Sequence, residues 1–150
     1  MTPLVEVADQ QTRAVDASAL ARLAGAVLQA EGRAAVELSL ALVDATTMAE
    51  LHARWSGDPD PTDVLAFPLE GGPTPPGEPQ LLGEVVVCTD VAAREAEARG
   101  LPFSEEVARY VVHGVLHLLG HDDQAEPART RMHARQEELL ASLWGSPGGL

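Results

Sequence analysis

Residues 104–120 carry Val107, Tyr110, Val111, Val112, Val115, Leu116, Leu118 and Leu119, which cover almost every arc of a helix with apolar surface. A helix with so little polar surface has to be surrounded, so this segment predicts a central, buried helix on which the rest of the chain packs. Ser104, with Glu106 and Val107 behind it, marks its start. Gly120 marks its end, because a residue without a Cβ enters the left-handed conformation at little cost. Within this helix stand His113 and His117. At about 3.6 residues per turn, positions i and i+4 project from nearly the same face, so both imidazoles can reach one ion. Two imidazoles buried on one side of such a helix need partners, and a metal ion satisfies both together.

Zinc takes about four ligands, and a catalytic site draws roughly three of them from protein. The reversal at Gly120 returns His121, Asp122 and Asp123 toward the helix end, where any one of them is a candidate third ligand. Gly114 keeps the backbone beside His113 open to a neighbouring element. In the zinc-protease pattern His-Glu-x-x-His, the glutamate after the first histidine acts as general base. Gly114 stands at that position, so a peptidase mechanism lacks its base. Phosphodiester cleavage suits the pattern better, because a metal can offset the charge that develops on the phosphorane.

The remaining segments supply elements for this helix to pack against. Residues 16–31 place Leu20, Leu23, Ala24, Val27 and Leu28 at helical spacing. Residues 37–43 read as a strand, after which Asp44 or Thr46 caps a short helix running to about Trp55. Residues 57–61, with two prolines, form a turn cluster. Strands are expected at 62–68 and 81–88, joined by a loop over 71–80 that holds three glycines and four prolines. A helix follows over 89–99, stopped by Gly100, and a last one over 126–143, with Pro127 in its first turn and Gly145 beyond its end. No repeat, heptad array or linker divides the 150 residues, so residues 1–150 are read as one domain. The tail from Gly145 is expected to fray.

Composition narrows the function classes. No apolar run reaches the roughly 18 residues of a membrane span, and no basic region followed by an apolar block opens the chain, so a cytoplasmic protein without membrane attachment is expected. The one cysteine, Cys88, lies in the apolar run Val85 to Cys88 and reads as a buried strand residue. All ten basic residues are arginines, against 23 acids, for a net charge of −13. That balance opposes non-specific adhesion to nucleic acid, so any activity on nucleic acid needs a local basic patch or a delivering partner.

Three ordered segments carry a family resemblance. Residues 55–68, Trp-Ser-Gly-Asp-Pro-Asp-Pro-Thr-Asp-Val-Leu-Ala-Phe-Pro, are similar to the Tyr-Arg-Gly…Pro-Thr-Asp-Val-Leu-Ser-Phe-Pro segment of the YbeY endoribonucleases, or rRNA maturation factors. Residues 82–90, Leu-Gly-Glu-Val-Val-Val-Cys-Thr-Asp, resemble that family's Leu-Gly-Asp-Ile strand. His113-Gly-Val-Leu-His-Leu-Leu-Gly-His-Asp122 resembles its His-Gly-x-Leu-His-Leu-x-Gly-(Tyr/His)-Asp-His signature. The resemblance implies an α+β fold, a small mixed sheet flanked by helices, one zinc ion per chain, and metal-dependent cleavage of single-stranded RNA. It also implies a role in maturing small-subunit (16S) ribosomal RNA and in ribosome quality control, with ribosomal partners.

Two positions depart from the family pattern. The signature closes on a histidine that is the third metal ligand, and this chain has Asp123 there. A carboxylate ligates zinc at similar distance, and its offset from His117 favours Asp123; His121 is the other donor. Ser56 stands where the family places an arginine thought to hold phosphate, and a hydroxyl cannot fork a phosphate as a guanidinium does. Arg54, two residues earlier, is the candidate substitute. Arg129, Arg131 and Arg135 are candidates for an RNA-facing side of the last helix, although a solvated face serves as well. His52 and His133 are read as surface or capping residues, and Trp55 and Phe67 as packing residues rather than base-stacking platforms. Asp63 and Glu84 are expected, from the family's segment order, to orient the histidines.

Overall fold

A computed structural model describes residues 2–58, 60–69 and 74–144. Four strands form one mixed sheet: β1 (Leu4–Gln10), β2 (Val36–Val43), β3 (Val64–Pro68) and β4 (Gln80–Cys88), in the order β1-β2-β4-β3. β1 and β4 run parallel to β2, and β3 runs antiparallel to β4 at the edge. Among the described residues there are also five helices: α1 (Ala17–Ala30), α2 (Ala45–Ser56), α3 (Thr89–Arg99), α4 (Phe103–Leu118) and α5 (Ala128–Leu143). The expectation of an α+β domain with a mixed sheet flanked by helices is met.

The sheet separates two unequal layers. Leu38, Leu40, Leu42, Val85 and Val87 alternate along β2 and β4 and are fully buried. α4 lies on this face, with Gly114 against Val85 and Val64. Successive strand residues point to opposite faces, so Phe67, Leu65 and Val86 face the other way. There α2 packs, and its Trp55 ring meets Phe67 with centroids 5.2 Å apart. Trp55 remains 66% exposed, a rim residue rather than part of the core.

α4 is the expected central helix: Val107, Ala108, Val111, Val112, Val115 and Leu116 are buried, between the sheet on one side and α1, α3 and α5 on the others. Gly114 is what lets it lie so close to the sheet. A Cβ there would run into Val85 Cγ1 and come within 3.1 Å of Val64 Cγ2. Overpacking of this kind costs about 1–3 kcal/mol, so Gly114→Ala is expected to lower the urea midpoint with little change in slope; an unchanged midpoint would contradict this packing.

β1 is a strand that the sequence pattern does not announce. Its only strand signal is the short alternation Val5-Glu6-Val7, and as an edge strand it leaves most of its residues exposed or half-buried. α4 starts at Phe103, with Pro102 as its cap, so Ser104 sits inside the first turn. Asp44 and Asp16 cap α2 and α1, each accepting a backbone N–H from Thr47 and Ala19 respectively. The loop over 71–80 falls partly outside the described residues, and the tail from Gly145 wholly so. No described helix is long and apolar enough to cross a membrane.

Asp90, in the first turn of α3, joins three segments. Its Oδ2 accepts the Ala45 N–H at the start of α2 (2.7 Å), and its Oδ1 accepts from Arg13 Nε (2.9 Å). The Ala45 amide first, then Arg13, hold this carboxyl below its ordinary range. A group whose folded pKa is depressed stabilises the fold above its unfolded value, about 4, and loses that contribution as pH falls through the lower folded value. The acid limb of the stability curve is therefore expected to flatten in Asp90→Asn, as read by denaturant midpoints between about pH 5 and pH 2. Parallel curves for variant and parent would contradict the linkage.

Candidate metal centre

The end of α4 is built to turn the chain back on itself. The Gly120 N–H donates to the His117 carbonyl and the His121 N–H to the Leu116 carbonyl, both at 3.1 Å, and Gly120 has φ +98°. This Schellman arrangement satisfies carbonyls that the last turn would otherwise leave open, and fixes the direction in which the chain departs. The departing segment brings Asp123 back to the helix: its Oδ2 lies 3.2 Å from His113 Nε2.

The tautomer of His113 follows from its other neighbour. Gln136, buried on α5, donates from Nε2 to Glu137 Oε2 (3.0 Å), which leaves its Oε1 facing His113 Nδ1 at 2.8 Å. An amide oxygen accepts only, so Nδ1 carries the hydrogen and Nε2 presents its lone pair to the Asp123 carboxylate. Two lone pairs at that separation repel; an electron-pair acceptor, a proton or a metal cation, has to sit between them. Asp123 Oδ1 is buried with no hydrogen-bond partner among the described residues. Both features fit a cation on this side of α4.

His117 projects from the same face one turn later. The expectation that both imidazoles are buried needs correcting: His113 has 28% of its side chain exposed, and His117 is exposed outright. Gln136 on α5 covers one side of His113, whereas His117 in the last turn of α4 stands in the open. Among the described residues, no three His, Cys, Asp or Glu side chains are gathered tightly enough to hold a metal ion without rearrangement. Of the two donors left open for the third position, Asp123 lies beside His113, whereas His121 is engaged elsewhere, its Nε2 2.9 Å from Glu31 Oε1.

The other sequence candidates are not drawn into this group. Ser56 Oγ donates to the His52 carbonyl at 2.7 Å, closing the last turn of α2. Arg54 is exposed in that same turn and forms no ion pair among the described residues. Glu84 lies on the sheet face opposite Val85 and cannot reach the histidines on α4, because strand residues alternate. Asp63 Oδ1 accepts the Val64 N–H at the entrance to β3. The orienting role expected of these two acids belongs instead to Gln136. Its signal was present in the sequence: Met132, Gln136, Leu139 and Leu140 form the buried stripe of α5, and an amide on an apolar stripe needs a partner. Arg129 pairs with Glu126 at the surface and Arg135 with Glu31 and Glu138, while Arg131 is exposed and forms no ion pair among the described residues. His52 Nδ1 meets the Asp60 carbonyl, in keeping with a capping role.

A buried ion cluster supports α4 from behind. Glu106, 1% exposed, lies between Arg99 and Arg109, and Arg109 also donates to Glu137 from Nε at 2.9 Å. Burial works against the charge of Arg109, but Glu137, Glu106 and Glu105 together raise its pKa. Burial first, then the Glu106 carboxylate, push the Tyr110 hydroxyl up as well. Glu137 therefore serves two partners, Arg109 and the amide that holds His113.

The chain is a small α+β domain whose central helix carries two histidines one turn apart, with an acidic bend returned to the first of them. Residues 6–144 match the family profile described as Endoribonuclease YbeY, and the chain belongs to that family. Among curated relatives of the same description, the protein of Thermobifida fusca is 46% identical over 143 residues, spanning 91% of this chain and 92% of its own length. That of Salinispora tropica is 44% identical over 153 residues, spanning 95% and 96%. The solution structure of TM1509 from Thermotoga maritima superposes with a TM-score of 0.68 at 23% identity, covering 97% of this chain and 93% of that one, a likeness of fold.

Proposed function

We propose that this chain is a metal-dependent endoribonuclease that holds one zinc ion with His113, His117 and Asp123 and cuts single-stranded RNA. Membership of the family supports the endoribonuclease reading. The observation that carries the metal reading is the meeting of His113 Nε2 with Asp123 Oδ2 at 3.2 Å, with Asp123 Oδ1 buried and unpartnered. Bound there, zinc would supply Lewis acidity toward a phosphodiester and its attacking water. The protein's own part is to fix the donors: Gln136 sets the His113 tautomer, and the Gly120 turn returns Asp123 to the ring. His117, exposed one turn further along α4, is the remaining donor of the proposed set. Position 114 faces the sheet, so no side chain there can serve as base, and peptide hydrolysis is disfavoured.

The proposed setting is maturation of small-subunit ribosomal RNA and ribosome quality control in the cytoplasm, with ribosomal proteins as partners. The net charge of −13 fits a nuclease brought to RNA by a partner rather than by its own field. The test is zinc analysis of native protein beside cleavage of single- and double-stranded RNA. About one zinc per chain, with cutting confined to the single strand and lost on chelation, supports the proposal; cutting that persists after complete chelation overturns it.

Ser56 favours a second reading, a ribosome-associated factor with a structural metal and feeble catalysis, because its hydroxyl is committed to the His52 carbonyl where relatives are expected to offer an arginine. The double variant Ser56→Arg, Asp123→His separates the two readings. No change in cleavage at constant ribosome association favours the factor with a structural metal, and a rise in cleavage favours the nuclease.

A further inference from the structure

Glu31 closes α1, and its carboxylate is used on both oxygens by residues far along the chain. Oε1 accepts from His121 Nε2 at 2.9 Å, and Oε2 accepts from Arg135 Nε and Nη2 at 3.1 and 3.0 Å. Only 16% of its side chain is exposed. These contacts join three elements: the end of α1, the bend between α4 and α5, and α5 itself. Within that bend, Asp122 bonds only to the adjacent Gln124 N–H, and Glu126 only to Arg129 and Thr130. Among the described residues, the His121 ring is therefore the bend's one side-chain tie to the body of the protein apart from the Asp123 meeting with His113.

We infer that Glu31 is a positioning residue: by gripping His121 and Arg135 together it fixes the 120–124 bend and so presents Asp123 to His113. This rests on the metal reading of the site given above. The grip also decides which of the two possible third donors serves. His121 is withheld by its bond to Glu31, and the carboxylate two residues later is delivered in its place. A free bend would have to be ordered at the moment of metal binding, with a loss of affinity.

The experiment titrates metal-free protein with zinc, well below the thermal midpoint of each variant, and measures kcat and KM on single-stranded RNA in parallel. Loss of an outer partner of a metal site weakens binding about 10–100-fold, and that loss is expected in Glu31→Ala, with kcat reduced and KM for RNA nearly unchanged. Glu31→Gln keeps an acceptor for His121 Nε2 and is expected to recover most of the affinity. Glu138→Ala removes the other partner of Arg135 and is expected to bind zinc like the parent. A merely structural role for Glu31 would lower the thermal midpoint yet leave the folded protein's zinc affinity intact, and that result overturns the proposal. A loss in Glu138→Ala equal to that in Glu31→Ala overturns it too. If the parent takes up no zinc, or if uptake survives His113→Ala, the reading of the site fails and this inference fails with it. Tight binding by the parent that is lost in His113→Ala but unchanged in Glu31→Ala sinks the positioning role alone.

Discussion

His117→Ala is expected to abolish zinc retention and to slow RNA cleavage by more than roughly 100-fold, the upper range for removing only an outer partner of a metal ligand. Its thermal midpoint should hardly move. The ring is exposed, and substitutions at such positions usually change stability by about 0.5 kcal/mol or less. His113→Ala is expected to give the same loss of activity with a measurable stability cost of about 1–3 kcal/mol, because Gln136 Oε1 and Asp123 lose their partner. The contrast separates function from folding: two histidines on one face, one free to go without structural consequence and one not. Cleavage by His117→Ala within about threefold of the parent would remove the metal centre from the reaction.

Arg109→Met is expected to destabilise the protein by about 3 kcal/mol, in the range for breaking a buried ion pair, which for a chain of this size is a fall of roughly 10 °C in Tm. Glu106 is 1% exposed, and once Arg109 is gone the one cation left to this nearly dry carboxylate is Arg99, itself half exposed. The double variant Arg109→Met, Glu106→Leu is expected to regain much of that loss, because the cost lies in the abandoned charge rather than in the absence of the pair. A thermal melt showing less than about 3 °C of change in the single variant would mean that water reaches Glu106. Arg109 also holds Glu137, which holds Gln136, so the single variant is expected to lose activity beyond what its unfolded fraction explains.

The parts of this molecule that were legible in the sequence are those dictated by local chemistry. The apolar wrap of residues 104–120 required a central helix; Gly120 required a turn after the second histidine; the cap of α2 was narrowed to Asp44 or Thr46, and the structure gives it to Asp44. What escaped was set by distance in space. Gln136 lies in a different helix from His113, and nothing in the spacing of either says that they meet. Glu31 and His121 are separated by most of the chain. β1 escaped because an edge strand with one half-covered face needs little hydrophobic pattern to be held, given the ladder that β2 already offers. Glu84 was misassigned because family order along the chain says nothing about which face of the sheet a residue occupies; alternation from Val85 does.

The dependence of His113 on Gln136 has a temporal consequence. α5 is made after α4, and until it docks, the first histidine lacks the amide that selects its tautomer, while α1 grips only half of its intended clamp. A chain collapsed around its sheet and central helix alone thus lacks the α5 partners of both His113 and Glu31.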